Sequence, residues 1–218
     1  MEQQRLGSVT VGELQNFTVQ KIDQRSARSF VTQYHYTGGM GNAGICWGLF
    51  SQGSLIGVIV FHAPISENVR MLVYGSERKD EVIELHRMAI HPNAPQNTAT
   101  YFISRALDAL KEYKPNYTAV LSFADTTEGH DGTVYQAASA DYTGMTDETT
   151  FYKDAEGALR APRQNGSNID ADEAKRRGWE PVKRKSKHRY VFWLPGPYES
   201  KDQLRQESNL EIQAYPEA

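Results

Sequence analysis

The chain has 218 residues, of which 39% are hydrophobic and 11% aromatic, and this is enough to bury one substantial core. A net charge of -3 gives no global argument for nucleic-acid binding, while the single Cys46 excludes an internal disulfide and suits a reducing compartment. No segment approaches the roughly 18 apolar residues that a membrane span needs, and the N-terminus lacks the apolar core of a signal peptide. We therefore expect one compact, cytoplasmic domain.

The first elements predicted along the chain are a strand, a helix and a hairpin. Residues 17–22 alternate in hydrophobicity like a strand, and Asp23 can then cap a helix that runs to about Tyr34. A glycine-rich loop follows that helix. Two apolar runs, at 45–50 and 55–62, are separated by a short turn and predict a hairpin.

The middle of the chain predicts a strand followed by a long helix. Residues 82–90 read as a strand, with the even-numbered positions on one face and the odd-numbered positions on the other. Arg87 thus shares a face with apolar neighbours. Residues 97–113 carry apolar side chains at helical spacing, and Pro115 lies just past the end of this helix.

The second half predicts the remaining elements of a mixed sheet. These are a strand at 118–123, a short helix at 133–140, a strand pair around the turn 154–157, a polar loop at 160–174 and a last strand at 188–194. The order of elements predicts an α/β fold with helices on the faces of the sheet, and it looks like the GNAT acyltransferase layout. We expect an N-terminal extension at 1–16, a catalytic domain at 17–195 and a mobile tail at 196–218.

The loop after the strand at 118–123 concentrates reactive side chains. Asp125, Glu128, His130, Asp131 and Tyr135 fall within a dozen positions, where the apolar strand gives way to a loop and a short helix. Strand ends followed by loops are common places for catalytic groups in α/β proteins. This segment is therefore the candidate site, because it gathers groups that transfer protons or donate hydrogen bonds.

A set of short motifs resembles one known family. The motifs are Tyr34-His-Tyr36, Glu84-Leu-His-Arg87, Ser122-Phe-Ala-Asp125, Gly129-His-Asp-Gly132, Tyr135-Gln-Ala137 and Tyr142-Thr-Gly144. Together they resemble the phage Mom DNA-modification proteins over roughly residues 17–194. The resemblance implies a GNAT-like fold and an enzyme that converts adenine in DNA to an N6-carbamoylmethyl form, which shields phage DNA from restriction. It also implies double-stranded DNA as the partner and the cytoplasm of the infected bacterial host as the location.

The resemblance also implies roles for individual residues. Asp125 would take a proton from the adenine amine or orient it, Arg87 would hold the donor or a phosphate, and Tyr135 would stabilise the transition state. Tyr34 or Tyr36, which register alone does not separate, would stack on an extruded adenine. The residues predicted to bind substrate are Tyr34, His35, Tyr36, Ser122, His130 and Gln136.

Each of these roles has a purely structural alternative. Asp125 is also placed to cap the turn after its strand, and Tyr135 to anchor its own helix. Arg87 on an apolar strand needs a partner, which could equally be an acid such as Asp125 in a buried ion pair. For the two tyrosines the alternative is a place in the core.

A basic segment lies between Lys175 and Arg189. Its eight cations are opposed by Glu180 alone, and together with Trp179 they have the composition of a nucleic-acid contact surface. The predicted DNA-binding residues are Arg176, Arg177, Lys183, Arg184, Lys185, Lys187 and Arg189. The alternative is a solvated, charged loop.

The group donor stays open. CoA-binding acyltransferases carry glycines between the central strand and the next helix, where backbone N–H groups hold the pyrophosphate, but residues 91–100 contain none. We expect acetyl-CoA or another activated acyl or aminoacyl donor. Iron has been associated with the Mom family, yet no compact ligand set stands out, and Gly129-His-Asp-Gly132 is more typical of a tight turn. No metal-binding residue is therefore predicted.

Two other functions remain open. A GNAT-type N-acetyltransferase acting on a small amine or a protein would bind acetyl-CoA saturably without DNA. A non-catalytic DNA-binding module would show salt-sensitive DNA binding that does not depend on Asp125. The oligomeric state, a dimer included, is also left open.

Overall fold

The computed structural model describes residues 16–41, 44–164 and 167–216. The strands are β1 Phe17–Lys21, β2 Ile45–Ser51, β3 Ser54–His62, β4 Val82–Ile90, β5 Ala119–Asp125, β6 Asp141–Met145, β7 Thr149–Lys153, β8 Leu159–Arg160, β9 Arg163–Gln164, β10 Ser167–Asn168, β11 Glu180–Arg184 and β12 Lys187–Trp193. The helices are α1 Gln24–Tyr34, α2 Glu67–Met71, α3 Thr98–Tyr113, α4 Thr133–Ala137, α5 Ala171–Arg176 and α6 Lys201–Glu207.

A seven-stranded sheet organises the fold, in the order β1-β2-β3-β4-β5-β12-β6. Within it β4 and β5 run parallel, and the other neighbouring pairs are antiparallel. The helix α3 connects the parallel pair, as a parallel crossover requires. The mixed α/β class and the GNAT-like order of elements predicted from the sequence are therefore confirmed.

Local sequence explains the elements that come first. Asp23 caps α1 as predicted, because its Oδ1 accepts hydrogen bonds from the N–H groups of Arg25 and Ser26, both at 2.9 Å. The strands β2 and β3 form the predicted hairpin. Its two-residue turn has positive φ at Gln52 (48°) and Gly53 (80°), which suits the twist of the strands that it joins.

Helices cover both faces of the sheet. Alternate residues of β3 point to opposite sides, so that Ile59 packs with α3 in one cluster and Val58 packs with α1 in another. A third cluster joins α6 to the outer part of the sheet through Leu204 and Trp193. The carboxyl ends of β4 and β5 lie between these layers, and they carry the candidate site.

A second, three-stranded sheet has the order β11-β7-β8. The strands β7 and β8 are the predicted pair around residues 154–157. Residues 160–174, predicted to be a loop, contain the short strands β9 and β10 and the start of α5, which Asp170 caps at the N–H of Glu173. The prediction of a loop at 160–174 is therefore wrong. The basic segment that follows runs through the end of α5, β11 and β12.

The C-terminal segment packs on the domain, which corrects the prediction of a mobile tail. Leu204 is fully buried, and the Arg205 guanidinium forms two bonds to Asp141, from Nε to Oδ2 at 2.6 Å and from Nη2 to Oδ1 at 2.9 Å. Farther along, Gln213 pairs with Tyr142 at the edge of the large sheet. Further contacts are the ion pair of Glu207 with Arg78 and the hydrogen bond from the Tyr215 hydroxyl to the carbonyl of Ala140. Single contacts of this kind, spread along the segment, leave no amphipathic pattern in the sequence.

Other predictions concern the remaining parts of the chain. The expected N-terminal extension at 1–16 lies, apart from Asn16, outside the described residues. Among the residues that are described, no helix has the length and apolar composition to cross a bilayer. Cys46 is buried, and its burial raises the pKa of the thiol.

Candidate functional site

The site lies where the parallel strands β4 and β5 part. Their pairing runs from Val82 opposite Ala119 to Leu85 opposite Ser122 and ends there. Beyond this point the second half of β4 pairs with β3, and the end of β5 pairs with β12. We call the opening between residues 86–90 and 123–125 the β4/β5 cleft.

A β-bulge at His86 sets the direction of the side chains beside the cleft. In the pairing of β3 with β4, Val60 lies opposite Arg87 and Phe61 lies opposite Leu85, so that His86 has no partner. Because a bulge shifts the alternation by one residue, Leu85 and Met88 pack in the same cluster. The prediction that even and odd positions keep separate faces over the whole strand is therefore wrong after residue 85.

Arg87 reaches the glycine-rich loop that follows α1. Its Nε donates to the carbonyl of Gly39 at 3.2 Å and its Nη1 to the carbonyl of His86 at 2.7 Å. No carboxylate among the described residues forms an ion pair with it, and burial lowers the pKa of the guanidinium. An ion pair between Arg87 and Asp125, one of the alternatives from the sequence, is not present. The charge of Arg87 thus remains available to an anionic ligand.

The carboxylate of Asp125 is held by protein groups on both oxygens. Oδ1 accepts a hydrogen bond from the N–H of Thr127 at 3.1 Å, which is the capping role considered from the sequence. Oδ2 lies 3.0 Å from Nη2 of Arg184 and 3.1 Å from Nζ of Lys187. Burial by itself would raise the pKa of this carboxyl, but Lys187, the Thr127 N–H and Arg184 together hold the pKa below its usual range. Asp125 is therefore ionised and paired at neutral pH.

Three rings pack together at the mouth of the cleft, two of them in a stack. The ring of Tyr36, which is 52% exposed, lies 4.3 Å from His35 in a stacked geometry and 5.1 Å from His130. Burial, followed by the charges of Arg87 and neighbouring histidines, lowers the pKa of His35 to about 4, so its imidazole is neutral at pH 7. Nδ1 of His35 accepts from the N–H of Thr37 at 3.2 Å, which leaves the proton on Nε2.

The structure separates the two tyrosines that register could not. Tyr34 packs away from this stack, with its ring 4.6 Å from Phe30 and 5.0 Å from His91. Tyr36 lies among the charged groups of the site, because Asp125 and Arg87 both act on its pKa. Burial is the larger cause and raises the pKa of Tyr36. Of the pair, Tyr36 is the residue that has an exposed ring and lies near Asp125 and Arg87.

Tyr135 lies beneath the cleft and packs against Tyr190, with the ring centroids 5.5 Å apart. Its burial raises the pKa of the phenol, and the nearby Ser122 hydroxyl opposes that shift. The Oγ of Ser122 is itself buried and makes no hydrogen bond within the described residues. Gln136 instead donates its amide to the Tyr190 hydroxyl at 2.9 Å, which fixes α4 on the sheet.

A further polar group at the cleft was missed by the sequence reasoning. Nδ1 of His86 lies 3.2 Å from Oε1 of Glu84, and the His86 ring stacks on His62 with centroids 5.1 Å apart. Nδ1 of His62 is buried and has no partner among the described residues. The signal was available, since Glu84 and His86 interrupt an apolar strand just as Arg87 does.

The basic segment does not form one surface. Arg176 and Arg177 pair with Glu173, and Arg184 and Lys187 pair with Asp125. Arg189 turns inward, donating to the hydroxyl of Thr143 at 2.9 Å and to its carbonyl at 2.7 Å, and burial lowers the pKa of its guanidinium. Within the basic segment, the exposed lysines that contact no described carboxylate closer than 3.5 Å are Lys175, Lys183 and Lys185. Of the seven residues predicted to bind DNA, Arg184 and Lys187 thus lie at Asp125 and Arg189 contacts Thr143, while Lys183 and Lys185 remain exposed.

The start of α3 offers a site for phosphate groups. Asn97, the residue before the helix, has a φ of 66° and makes no side-chain cap. The N–H groups of Ala99 and Thr100 find no acceptor among the described residues, whereas that of Thr98 bonds to Pro95 at 3.2 Å. Free N–H groups at the start of a 16-residue helix attract anions, and glycines in the preceding loop are not needed for this.

A metal centre finds no support. Among the residues that the structure describes, no three His, Cys, Asp or Glu side chains are grouped so that they could hold an ion. His130 is exposed and packs against Tyr36 with tilted rings, and Asp131 accepts from the N–H of Thr133 at 2.8 Å in a tight turn. The described residues therefore offer no ligand set for iron, which the sequence left possible.

Known proteins resemble this chain over most of its length. A model of the family described as the Mom protein family matches residues 16–217. A protein named Methylcarbamoylase mom, from Escherichia phage Mu, is 28% identical over 184 residues, which cover 81% of this chain and 75% of that protein.

Solved structures similar to this chain include acetyltransferases. An IAA acetyltransferase from Bacillus cereus ATCC 14579 has a TM-score of 0.48 and 11% identity, covering 82% of this chain and 99% of that one. The ribosomal-protein-S18-alanine N-acetyltransferase from Escherichia coli has a TM-score of 0.46 and 8% identity, covering 84% of this chain and 99% of that one. At these identities the likeness concerns the fold alone.

Proposed function

This chain belongs to the Mom protein family, and we propose that it is a phage DNA-modification enzyme that transfers an acetyl- or glycine-derived, carbamoylmethyl-type group to the N6 amine of adenine in DNA. The relative from phage Mu carries the name of a methylcarbamoylase, which supports a transferase. The modification protects phage DNA from host restriction, and the enzyme works in the cytoplasm of the infected host. The observation that carries this proposal is that Arg87, Asp125 and Tyr36 lie close together at one cleft.

Asp125 acts on the acceptor. The adenine amine is a poor nucleophile because its lone pair is delocalised into the ring, so it needs a group that takes its proton or orients it. Asp125 is ionised and lies at the end of β5 beside the cleft, but both of its oxygens are engaged. One of them has to be released before the amine can bind, and Oδ2 is the better choice because its partners are flexible side chains.

Arg87 and the start of α3 hold the donor. Arg87 is half-buried and has no carboxylate to balance it in the described chain, so a phosphate or carboxylate of the donor is its natural partner. The free N–H groups of Ala99 and Thr100 suit a phosphate of the same molecule. Acetyl-CoA fits these two anchors, as does another activated acyl or aminoacyl donor that carries phosphates.

Aromatic side chains complete the reaction site. Tyr36 presents an exposed ring for stacking on the adenine, which has to leave the duplex for its amine to reach the cleft. His35 is neutral and can donate a hydrogen bond from Nε2 without adding charge. Tyr135 remains protonated at neutral pH because burial raises its pKa, and its hydroxyl stabilises negative charge that develops on the transferred group.

Double-stranded DNA is the proposed partner. Lys175, Lys183 and Lys185 remain exposed for phosphate contacts. Lys183 and Lys185 flank Arg184, whose guanidinium donates a hydrogen bond to Asp125. Phosphate contacts of this kind position a duplex without reading its sequence. We expect DNA binding to weaken steeply as the salt concentration rises.

The test is mass spectrometry of nucleosides from bacterial DNA after expression of the protein. A mass-shifted deoxyadenosine is expected with the intact chain and not with Asp125→Ala, and the added mass identifies the transferred group. Asp131→Asn is the matched control, because this carboxylate belongs to the same loop but caps a turn outside the cleft. Unmodified DNA from well-folded protein would contradict the proposal and favour an N-acetyltransferase for another amine. Full modification by Asp125→Ala would contradict the role given to Asp125.

A further inference from the structure

A second cavity lies outside the β4/β5 cleft, between the three-stranded sheet and α5. Its volume is about 360 Å³, and its main lining residues are Thr150, Tyr152, Ala174, Lys175, Trp179 and Pro181. We call it the Trp179 pocket. Its size falls within the range of small-molecule sites, and its walls are mostly apolar with one cation at the rim.

The pocket and the β4/β5 cleft lie on opposite faces of the small sheet. Tyr152 pairs with Pro181 and Thr150 pairs with Lys183, and residues directly opposite one another share a face. Phe151 points to the opposite face of the sheet. On that face the Arg184 guanidinium lies 5.5 Å from the Phe151 ring and donates a hydrogen bond to Asp125. The strand β11 forms one edge of this sheet, so an extended ligand that runs along this edge can contact both faces.

Trp179 differs from the other two tryptophans of the chain. Trp47 and Trp193 are buried in the clusters of the large sheet, whereas Trp179 is half-buried at the pocket. The guanidinium of Arg177 lies 5.0 Å from its ring, so one side of the indole already faces a cation. A half-buried indole that lines an apolar pocket, with cations beside it, combines the two features with which proteins bind unpaired bases.

The charges around the pocket suit a nucleic-acid backbone. Lys175 lines the pocket and forms no ion pair within the described chain. Lys183, on the same face, has a side chain that is 77% exposed and makes only a 3.6 Å contact with Glu148. Exposed lysines on two sides of an apolar pocket offer phosphate contacts to a chain whose base enters between them.

The distance to the reaction site fits a neighbouring nucleotide. From Pro181 at the pocket to Arg184 at Asp125 the chain runs three residues of extended strand, which is about 10 Å. Stacked nucleotides repeat every 3.4 Å or so along a strand, and about three of them span this length. The pocket thus lies within reach of a nucleotide a few positions away from the one being modified.

Resting on the proposed function, we infer that the Trp179 pocket binds one unstacked nucleobase of the DNA strand beside the modified adenine, with the adjacent phosphates on Lys175 and Lys183. The base stacks on the indole, and the apolar wall under it accepts any of the four bases. The pocket therefore contributes affinity for an unpaired strand without reading its sequence. It takes no part in the chemical step.

Tryptophan emission provides a direct test, with a single-stranded oligonucleotide as the probe. Trp179 is the tryptophan that such a probe reaches, so binding should quench part of the emission of the wild-type protein. Trp179→Phe should abolish that change while binding, followed by the anisotropy of a labelled oligonucleotide, persists. Trp179→Ala should weaken binding by roughly 5- to 150-fold, which corresponds to the loss of one stacked base.

Two further variants distinguish a lost contact with the oligonucleotide from a folding defect. Trp179 also packs on the cluster of Tyr152, Ile169 and Ala174, so its removal could loosen α5, and unfolding curves will report this. Lys175→Gln leaves that cluster intact and should still weaken binding and reduce its salt dependence. Lys201→Gln, an exposed lysine on α6, is the matched control and should change neither.

The outcomes separate this inference from the proposed function. Binding without any change in Trp179 emission, together with unchanged affinity in Trp179→Ala, overturns the pocket even if adenine is modified. Quenching and weakened binding in the variants, but with unmodified adenine in cells, support the pocket and contradict the proposed function. No binding of the oligonucleotide at all overturns the pocket as well.

Discussion

The substitution Asp125→Asn measures how strongly one carboxylate holds two cations. Arg184 and Lys187 both approach Oδ2, at 3.0 and 3.1 Å, and the Asp125 side chain is 4% exposed. Removing one partner of a buried ion pair costs about 3–5 kcal/mol. Lys187 is 41% exposed and Arg184 also lies 3.5 Å from Glu128, so both cations can be solvated or re-paired. We therefore expect a lower cost, about 2–3 kcal/mol.

Thermal and urea unfolding provide the assay. For a domain of this size each kcal/mol lowers Tm by about 2–4 °C, so Asp125→Asn should lower it by roughly 4–12 °C. The double variant Asp125→Asn/Lys187→Met should recover part of the loss, because it removes one of the unpaired charges. The coupling free energy from the double-mutant cycle should fall within about 0.5–3 kcal/mol.

Two results would refute this reasoning. One is a Tm for Asp125→Asn within the error of the wild-type value, which would show that the two cations do not depend on the carboxylate. The other is strict additivity of the two substitutions, since neighbouring charges that share an oxygen have to be coupled. Asp131→Asn provides the baseline for removing an acid from the same loop.

The remaining predictions concern the site loop, the ring stack and the C-terminal segment. Gly132→Ala should lower the free energy of unfolding by about 2–5 kcal/mol, because its φ of 85° disfavours alanine and the added Cβ would lie 2.2 Å from the ring of Tyr190. Gly38→Ala, with a φ of 61° and nothing within 4 Å, should show in the same urea titration only the backbone cost of about 1–2 kcal/mol. The His35 imidazole, with its pKa lowered to about 4, should show no NMR titration between pH 5 and 8; a titration near 6.5 would disprove its burial. Because the folded pKa lies below the unfolded one, the stability that His35 contributes is complete above pH 6.5 and falls as the pH drops toward 4. Arg205→Gln should speed trypsin cleavage within residues 196–216, since it breaks the ion pair with Asp141, and unchanged cleavage would mean that the pair does not anchor this segment.

The regular elements could be predicted from the sequence because they depend on local patterns. The strand at 82–90 and the capping of α1 by Asp23 follow from alternation and from one side chain, and both are confirmed. The bulge at His86 could not be predicted, because it depends on how β3 pairs with β4 and leaves no mark on composition. The resulting change of face is what turns Arg87 toward Gly39.

The partners of the site residues were harder to predict for a similar reason. The cations that hold Asp125 lie 59 and 62 positions further along the chain, on strands that belong to two different sheets. The sequence identified those cations as a basic segment but assigned all of them to DNA. Only the pairing of β12 with β5, which places Lys187 opposite Asp125, shows that part of this charge is already neutralised within the protein.

That neutralisation leads to a prediction about the order of events at Asp125. If Asp125 is to accept the adenine amine, one cation has to leave Oδ2, and Lys187 is the easier to displace because its side chain is 41% exposed against 20% for Arg184. A DNA phosphate offers Lys187 another anion and so couples the arrival of DNA to the release of the carboxylate. Without Lys187 the pKa of Asp125 should rise toward its usual value near 3.8, which still leaves it ionised at pH 7. We therefore expect Lys187→Met to raise KM for DNA while kcat, measured at saturating DNA, is maintained or increased. A fall of kcat to the level of Asp125→Ala would show instead that Lys187 is needed in the reaction itself, and that the pairing seen here is already the working arrangement.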